Sequence, residues 1–312
     1  MGEWSKQVGE AGEKLVHQYL KLIGWGDAQN NVPIACIKSD KHILSTKPRQ
    51  THGLDFLLSY PSPLFDEVLK NVVISVKFSA EEYPNTPAGI FRNHFKDLAQ
   101  ALECFKHSLE RQKAITGRRG IRHCHDVGVL FWLNNSKQSY DDVISRLSNV
   151  GVSGVEGHAP IYVVDNKRIA FIYDSLAFAK RLYPNSEIEF YYFDTGKNTN
   201  PLTKQHSGPL LPVEFINTSI LPLRVGIKSS DTTVLLLCSL ENFSEDGLKL
   251  LLGLAKNLSG NWASKIVLCF PDYISLTHQN TVQGVKAAFS DKKTTGMLEV
   301  RSYAADFLTL QG

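Results

Sequence analysis

A lysine, Lys77, nearly closes the apolar run Asn71-Val-Val-Ile-Ser-Val-Lys-Phe78. Such a run, rich in β-branched residues, reads as a buried strand, and an ammonium at its end is costly to desolvate without a charged partner or a chemical task. The preceding run, His52-Gly-Leu-Asp-Phe-Leu-Leu-Ser-Tyr60, sets Asp55 among apolar neighbours in the same way. Side chains alternate across a strand, so Val73, Ser75 and Lys77 share one face, while Asp55 lies opposite Leu54, Phe56 and Leu58. If the two strands pair as a hairpin, Asp55 and Lys77 turn to the same side.

The surrounding periodicity predicts an α/β fold. Val8, Leu15, Val16, Tyr19, Leu20 and Ile23 recur at helical spacing, with Ser5 as a cap and Gly24 as a stop. On that helix Glu13 falls near Leu20 at the edge of the apolar stripe, and Glu10 points away from it. Strands are expected at Val32–Ile37, Leu54–Tyr60, Val72–Phe78 and Val127–Leu133, with one long amphipathic helix from Asn93 to Lys113 between the last two. That order implies a mixed sheet with helices on its faces. Strand candidates at Ile161–Val164 and Ile169–Tyr173, a helix at Ser175–Leu182 and a strand at Ile188–Phe193 extend it.

Gly196–Pro212 is poor in apolar residues and reads as a linker. The expected division is a first domain over residues 1–200, with its core in about 1–135, and a smaller α/β domain over 208–312. In the latter, strands at Thr233–Cys238, Ile266–Phe270 and Leu298–Arg301 alternate with helices at Glu245–Leu258 and Thr277–Phe289, which suggests a parallel unit.

A net charge of +3 over 312 residues does not mark a nucleic-acid binder, so any basic surface is local. The loop Gly117–His123 supplies Arg118, Arg119 and Arg122, and Lys96 leads into the long helix; each is a candidate for phosphate contacts. With no leader-like start and no apolar stretch of membrane-spanning length, a cytoplasmic protein without membrane partners is expected. The five scattered cysteines argue against a disulfide framework; all but Cys124 stand in apolar or helical settings where a thiol packs as a small hydrophobe. His123-Cys-His125 lacks the second ligand pair of a zinc finger, and neither a Walker loop nor a nucleophile elbow is present.

A strand carboxylate, a helix carboxylate and a neighbouring lysine form a chemical unit. Oxygen ligands of this kind suit Mg²⁺ or Mn²⁺, and a lysine beside them can position an attacking water, which points to phosphodiester hydrolysis. The segment Gly9–Trp25 with Glu13, then Gly53-Leu-Asp55, then Val73-Ile-Ser-Val-Lys77, resembles the PD-(D/E)XK nuclease superfamily with its restriction-endonuclease-like fold. The resemblance covers about the first 135 residues. It implies that Asp55 and Glu13 hold the metal, with the Val76 carbonyl as a further ligand, and that Lys77 acts on the water. Ser75 stands where the family carries an acid, so either Glu13 compensates or the chain is a catalytically impaired nuclease-like DNA-binding or scaffold subunit. Ser75 orienting a water and Gln100 beside the lysine complete the expected site. The implied setting is bacterial defence against phage or foreign DNA, with DNA as substrate and a second protein subunit or a further copy as partner; RNA is the other possible substrate.

Overall fold

The computed structural model describes residues 2–44, 47–135, 141–152, 159–230 and 232–304. The chain forms two compact units. The first comprises Met1–Ile169, Asp194–Lys204 and Pro212–Asn217, and the second Ala170–Phe193, Gln205–Leu211 and Thr218–Gly312.

The first unit runs α1 (Gly2–Leu22), β1 (Gln29–Ala35), β2 (Ile43–Leu44), β3 (Lys47–Pro48), β4 (Thr51–Pro61), β5 (Val68–Ser79), α2 (Ala88–Phe105), α3 (Leu109–Ile115), β6 (His123–Asn134) and β7 (Ile161–Val164). Its five-stranded sheet has the order β1-β4-β5-β6-β7, antiparallel through β5 and parallel beyond it, while β2 and β3 form a separate two-stranded ribbon. This is the mixed sheet that the sequence predicts, and it fits a PD-(D/E)XK nuclease fold. β5 is covered on both faces, which explains its unbroken apolar character: its first eight residues are buried.

On one face Gly12 brings α1 close to β5, since a Cβ there would meet the Phe78 Cβ at 2.3 Å. Tyr19 packs edge-on against Phe131, and His17 stacks on Phe56. On the other face Phe91, Leu98, Leu102 and Phe105 of α2 join Leu54, Leu57, Val73, Leu130 and Trp132 in one core. Leu54 and Leu57 thus share a core despite their odd separation. Between them the β1–β4 ladder skips the rung at Asn31 and Asp55, and Asn31 takes φ 51°, a left-handed value that asparagine tolerates.

The helix expected over Asn93–Lys113 is two helices. Ser108 ends the continuous run by accepting from the Arg111 N–H at 3.1 Å as the cap of α3, in keeping with the preference of serine for caps over helix interiors. At the N-terminus α1 already begins at Gly2, so Ser5 lies inside it.

The second unit contains most of α4 (Asn166–Leu182), then β8 (Glu187–Tyr191), β9 (Ser207–Gly208), β10 (Ile220–Ile227), β11 (Thr232–Ser239), α5 (Glu245–Ser259), β12 (Lys265–Phe270), α6 (Ser275–Ala288), α7 (Lys292–Gly296) and β13 (Leu298–Ser302). Its sheet has the order β13-β12-β11-β10-β8-β9. The stretch Ile169–Tyr173, expected as a strand, is helical, because its apolar residues continue the α4 stripe of Phe171, Ile172, Leu176 and Ala179. β8, expected in the first domain, pairs with β10 in this second sheet. The three strands expected as a parallel unit, β11, β12 and β13, are parallel, and β10 and β8, which join them antiparallel, make the sheet mixed. β10 was hidden in the sequence by Pro222, which stands just outside the four residues that pair with β8.

Candidate active site

Asp55 and Lys77 meet where the β4–β5 ladder ends. The last paired residues are Phe56 and Ile74; beyond them the Val76 N–H donates to Asp55 Oδ2 at 2.6 Å, and the Ser75 hydroxyl donates to the same carboxylate. Ser75 is buried, and its hydroxyl is thereby committed to fixing Asp55. Burial raises the Asp55 pKa against the opposing pull of these hydrogen bonds and of the Lys77 charge.

Glu13 reaches the same place from α1. Its pKa is raised by burial and then by the charges of Asp55 and Glu10. Two carboxylates, one of which raises the other's cost of ionisation and is itself pinned by a backbone amide, form a hard-oxygen donor set whose repulsion a divalent cation relieves. The residues present fit such an ion.

The Lys77 amine lies 3.3 Å from Asp97 Oδ2, and Arg49 Nη1 donates to Asp97 Oδ1 at 2.6 Å. Burial opposes the Asp97 charge, but the Arg49 bond and the charges of Lys77 and Arg49 outweigh it and lower the pKa. Lys77 is thus held by a permanent anion, at a half-buried position with a side-chain exposure of 29%. The same amine lines a pocket of about 490 Å³ with His94, Trp132 and Tyr83. His94 packs edge-on against Trp132 and has its pKa pushed down to about 4, by burial first and then by the Lys77 charge.

Asp97 and Arg49 were not singled out from the sequence, and His94 only as a candidate phosphate contact beside Lys96. One signal was available: His94, Asp97, Ala101 and Cys104 recur at helical spacing, and the last two are buried, so an acid and a histidine stand on a stripe that faces the sheet. Gln100 is half-buried one turn beyond Asp97, and Lys96 is exposed.

The arginine loop lies elsewhere. The Arg122 N–H donates to the Glu67 carbonyl at the start of β5, its guanidinium pairs with Glu67, and Arg118 donates to the Ser59 and Ala114 carbonyls. Val68 and Lys77 are nine residues apart on one strand, about 30 Å at ~3.3 Å per residue. Several Debye lengths of ~8–10 Å therefore separate the Arg122 anchor from Lys77, and Arg118, held at Ser59 opposite Asn71, stands about 20 Å, some two Debye lengths, away along the strand. In the His123–His125 segment, Lys70 Nζ lies 3.4 Å from His125 Nδ1, and Asp126 accepts from Asn71 and Arg111. Cys238 and Cys269 are fully buried in the second sheet, as expected of small hydrophobes. Cys36 and Cys104 are not simply that, for they meet His42 and His52.

A mixed sheet clasped by two helices, with Asp55, Glu13 and Lys77 at one end of its central hairpin, defines a nuclease-like domain. The family model described as the GAPS4 protein PD-(D/E)XK nuclease domain matches residues 1–168, more than half of the chain, and the chain belongs to that family. No curated protein and no solved structure matches it significantly. Among the described residues no helix is long and apolar enough to cross a membrane.

Proposed function

We propose that this protein is a Mg²⁺- or Mn²⁺-dependent endonuclease that hydrolyses phosphodiester bonds in DNA. The observation that carries this reading is the convergence of Asp55 and Glu13 at the end of a hairpin whose next strand residues present Lys77. Asp55, Glu13 and the Val76 carbonyl would hold the ion, which supplies Lewis-acid activation of water and of the phosphate when bound. Lys77, aligned by Asp97, positions the attacking water and balances charge that develops on the phosphate. Ser75 fixes Asp55 rather than replacing the family's acid, leaving Glu13 as the second carboxylate. Gln100 is the remaining polar candidate on the α2 side, and Lys96, Arg118, Arg119 and Arg122 extend a phosphate-contacting surface away from the cut. Family membership supports a role in cytoplasmic defence against phage or foreign DNA, in company with a second protein subunit or another copy of the chain.

The test is plasmid cleavage with Mg²⁺ or Mn²⁺. Asp55→Ala and Lys77→Ala are each expected to lower kcat by at least about 10²–10³-fold, the usual cost of losing one charge-stabilising group, while DNA binding persists. Absence of cleavage by the wild-type chain with every metal, DNA form and partner tried, with binding retained, would instead establish the DNA-binding or scaffold reading.

A further inference from the structure

Four soft ligands converge in the first unit, away from the carboxylates of the nuclease site. They are Cys36, just after β1; His42, just before β2; His52, in β4; and Cys104, in the last turn of α2. Their ligand atoms all lie within 4.8 Å of one another. His42, His52 and Cys104 are buried, and Cys36 is half-buried.

The separations carry a geometric signature. Cys36 Sγ and Cys104 Sγ are 3.9 Å apart, His42 Nδ1 and His52 Nε2 are 3.3 Å apart, and His42 Nδ1 lies 3.4 Å from Cys36 Sγ and 3.5 Å from Cys104 Sγ. A tetrahedral zinc ion with Zn–S of about 2.3 Å and Zn–N of about 2.05 Å requires edges of about 3.8 Å for S···S, 3.35 Å for N···N and 3.55 Å for S···N. Four of the six edges thus fall within about 0.15 Å of those values, and the two from His52 Nε2 to the sulfurs lie within 4.8 Å. A disulfide needs S–S of about 2.05 Å, so the two sulfurs stand at the spacing of co-ligands rather than of a bond.

The surroundings agree. His42 Nε2 lies 3.0 Å from Glu103 Oε2, so the carboxylate accepts from Nε2–H and the Nδ1 lone pair is left directed at the cluster. Glu103 is itself held by Lys38. A carboxylate behind a ligating histidine is the usual outer partner of a zinc site. Two thiolates and two neutral imidazoles also cancel the charge of the ion, which suits a buried position.

We infer that Cys36, His42, His52 and Cys104 form a structural zinc site that clips the β1–β4 connection to the end of α2. Binding releases the two thiol protons and forms two Zn–S and two Zn–N bonds, with no change of oxidation state. Four protein ligands close the coordination sphere, so this ion does no chemistry on substrate. The site borders the lysine of the proposed nuclease centre through two residues: Arg49 Nη1 lies 3.1 Å from His52 Nδ1 and donates to Asp97, which holds Lys77. In the metal-free chain Arg49 donates to His52 Nδ1; zinc on Nε2 would put the imidazole proton on Nδ1, so the Arg49 donor would turn from His52 and be left to Asp97.

The experiment is metal analysis of the full chain purified without a metal-affinity tag, on wild type and on Asp55→Ala, so that its outcome is independent of the nuclease reading. About one zinc per chain is expected in both, and growth in cobalt should give the intense visible bands of tetrahedral cobalt together with thiolate-to-cobalt charge transfer. Cys104→Ser and His42→Ala should each lower the zinc content at least tenfold. Should those variants not fold, the wild-type zinc content and cobalt spectrum decide alone. The inference is overturned by folded wild type that lacks both zinc and the tetrahedral cobalt spectrum, by a Cys36–Cys104 disulfide in the metal-free chain, or by full zinc retention in folded Cys104→Ser.

Discussion

Strands of the first sheet bury His52, Lys70, Asn71, Ser75 and Asn134, whereas among the described residues the buried polar positions on strands of the second are Ser239 and Ser302. The partners differ as well as the number. In the first sheet Asn71 accepts from Ser59 and donates to Asp126, Lys70 pairs with Glu214, and Ser75 serves Asp55. In the second, Ser239 and Ser302 sit at strand ends and bond to the backbone of Glu241 and Pro271. Buried polar groups are retained only when satisfied, and they are costly even then. The first sheet commits these groups to side chains of other elements, with Ser75 doing so at the Asp55–Lys77 end, while the second commits them to turns.

This contrast can be broken by substitution in the second unit. Leu252 is fully buried on α5 against the strands of that sheet, and Leu252→Ala should cost about 2–5 kcal/mol of stability in chemical denaturation. Cleavage per folded molecule should stay unchanged; a collapse in kcat at intact fold would give the second unit a share in the chemistry.

A smaller effect sharpens the account of the first unit. Asp97→Asn keeps the shape but removes the anion that holds Lys77, and should reduce kcat by about 10–100-fold, a typical cost of losing an orienting partner, with KM little altered and the melting temperature lowered by loss of the Arg49 and Lys77 pairing. If activity were retained in full, Lys77 would need no alignment from α2.

The smallest expected effect concerns the carboxylate pair itself. Because burial, joined by the Asp97 charge, disfavours the Asp55 carboxylate more than its hydrogen bonds and Lys77 favour it, ionised Asp55 lowers the stability of the metal-free protein at neutral pH. Asp55→Asn should therefore be more stable there, by about 1 kcal/mol as for other relieved active-site groups, and should lose any stabilisation by Mg²⁺. The sign follows from a raised pKa: as pH falls through the folded value the wild-type carboxylate protonates, the gap between the two proteins closes, and below the ordinary carboxylate range it vanishes. Equal melting temperatures at neutral and acidic pH would show that Asp55 is not strained by its surroundings.

The hairpin was legible from its two apolar runs, but strict alternation, which set Leu54 with Phe56 and Leu58, fails at Asp55, where a skipped rung brings Leu54 into one core with Leu57. Glu13 was legible for a similar reason, since its angle on α1 follows from the apolar stripe alone, and the family motif gave the three residues a common meaning. Length of helix was less so, because Ser108 acts through a cap that a hydrophobic period does not register.

Residue order along the chain thus determined which side chains are buried on each strand and helix, because those periods are properties of a few successive residues. Folding in three dimensions decided which distant groups meet. Asp97 joins Lys77 and Arg49 only because α2 crosses the sheet at that point, and Cys36, His42, His52 and Cys104 have no ligand spacing that links them until β1, β4 and α2 pack together. It also separated the arginine loop from Lys77, because β5 is long enough to hold its two ends about 30 Å apart. Contacts between residues far apart in sequence depend on the register and packing of whole elements, and no local pattern encodes them.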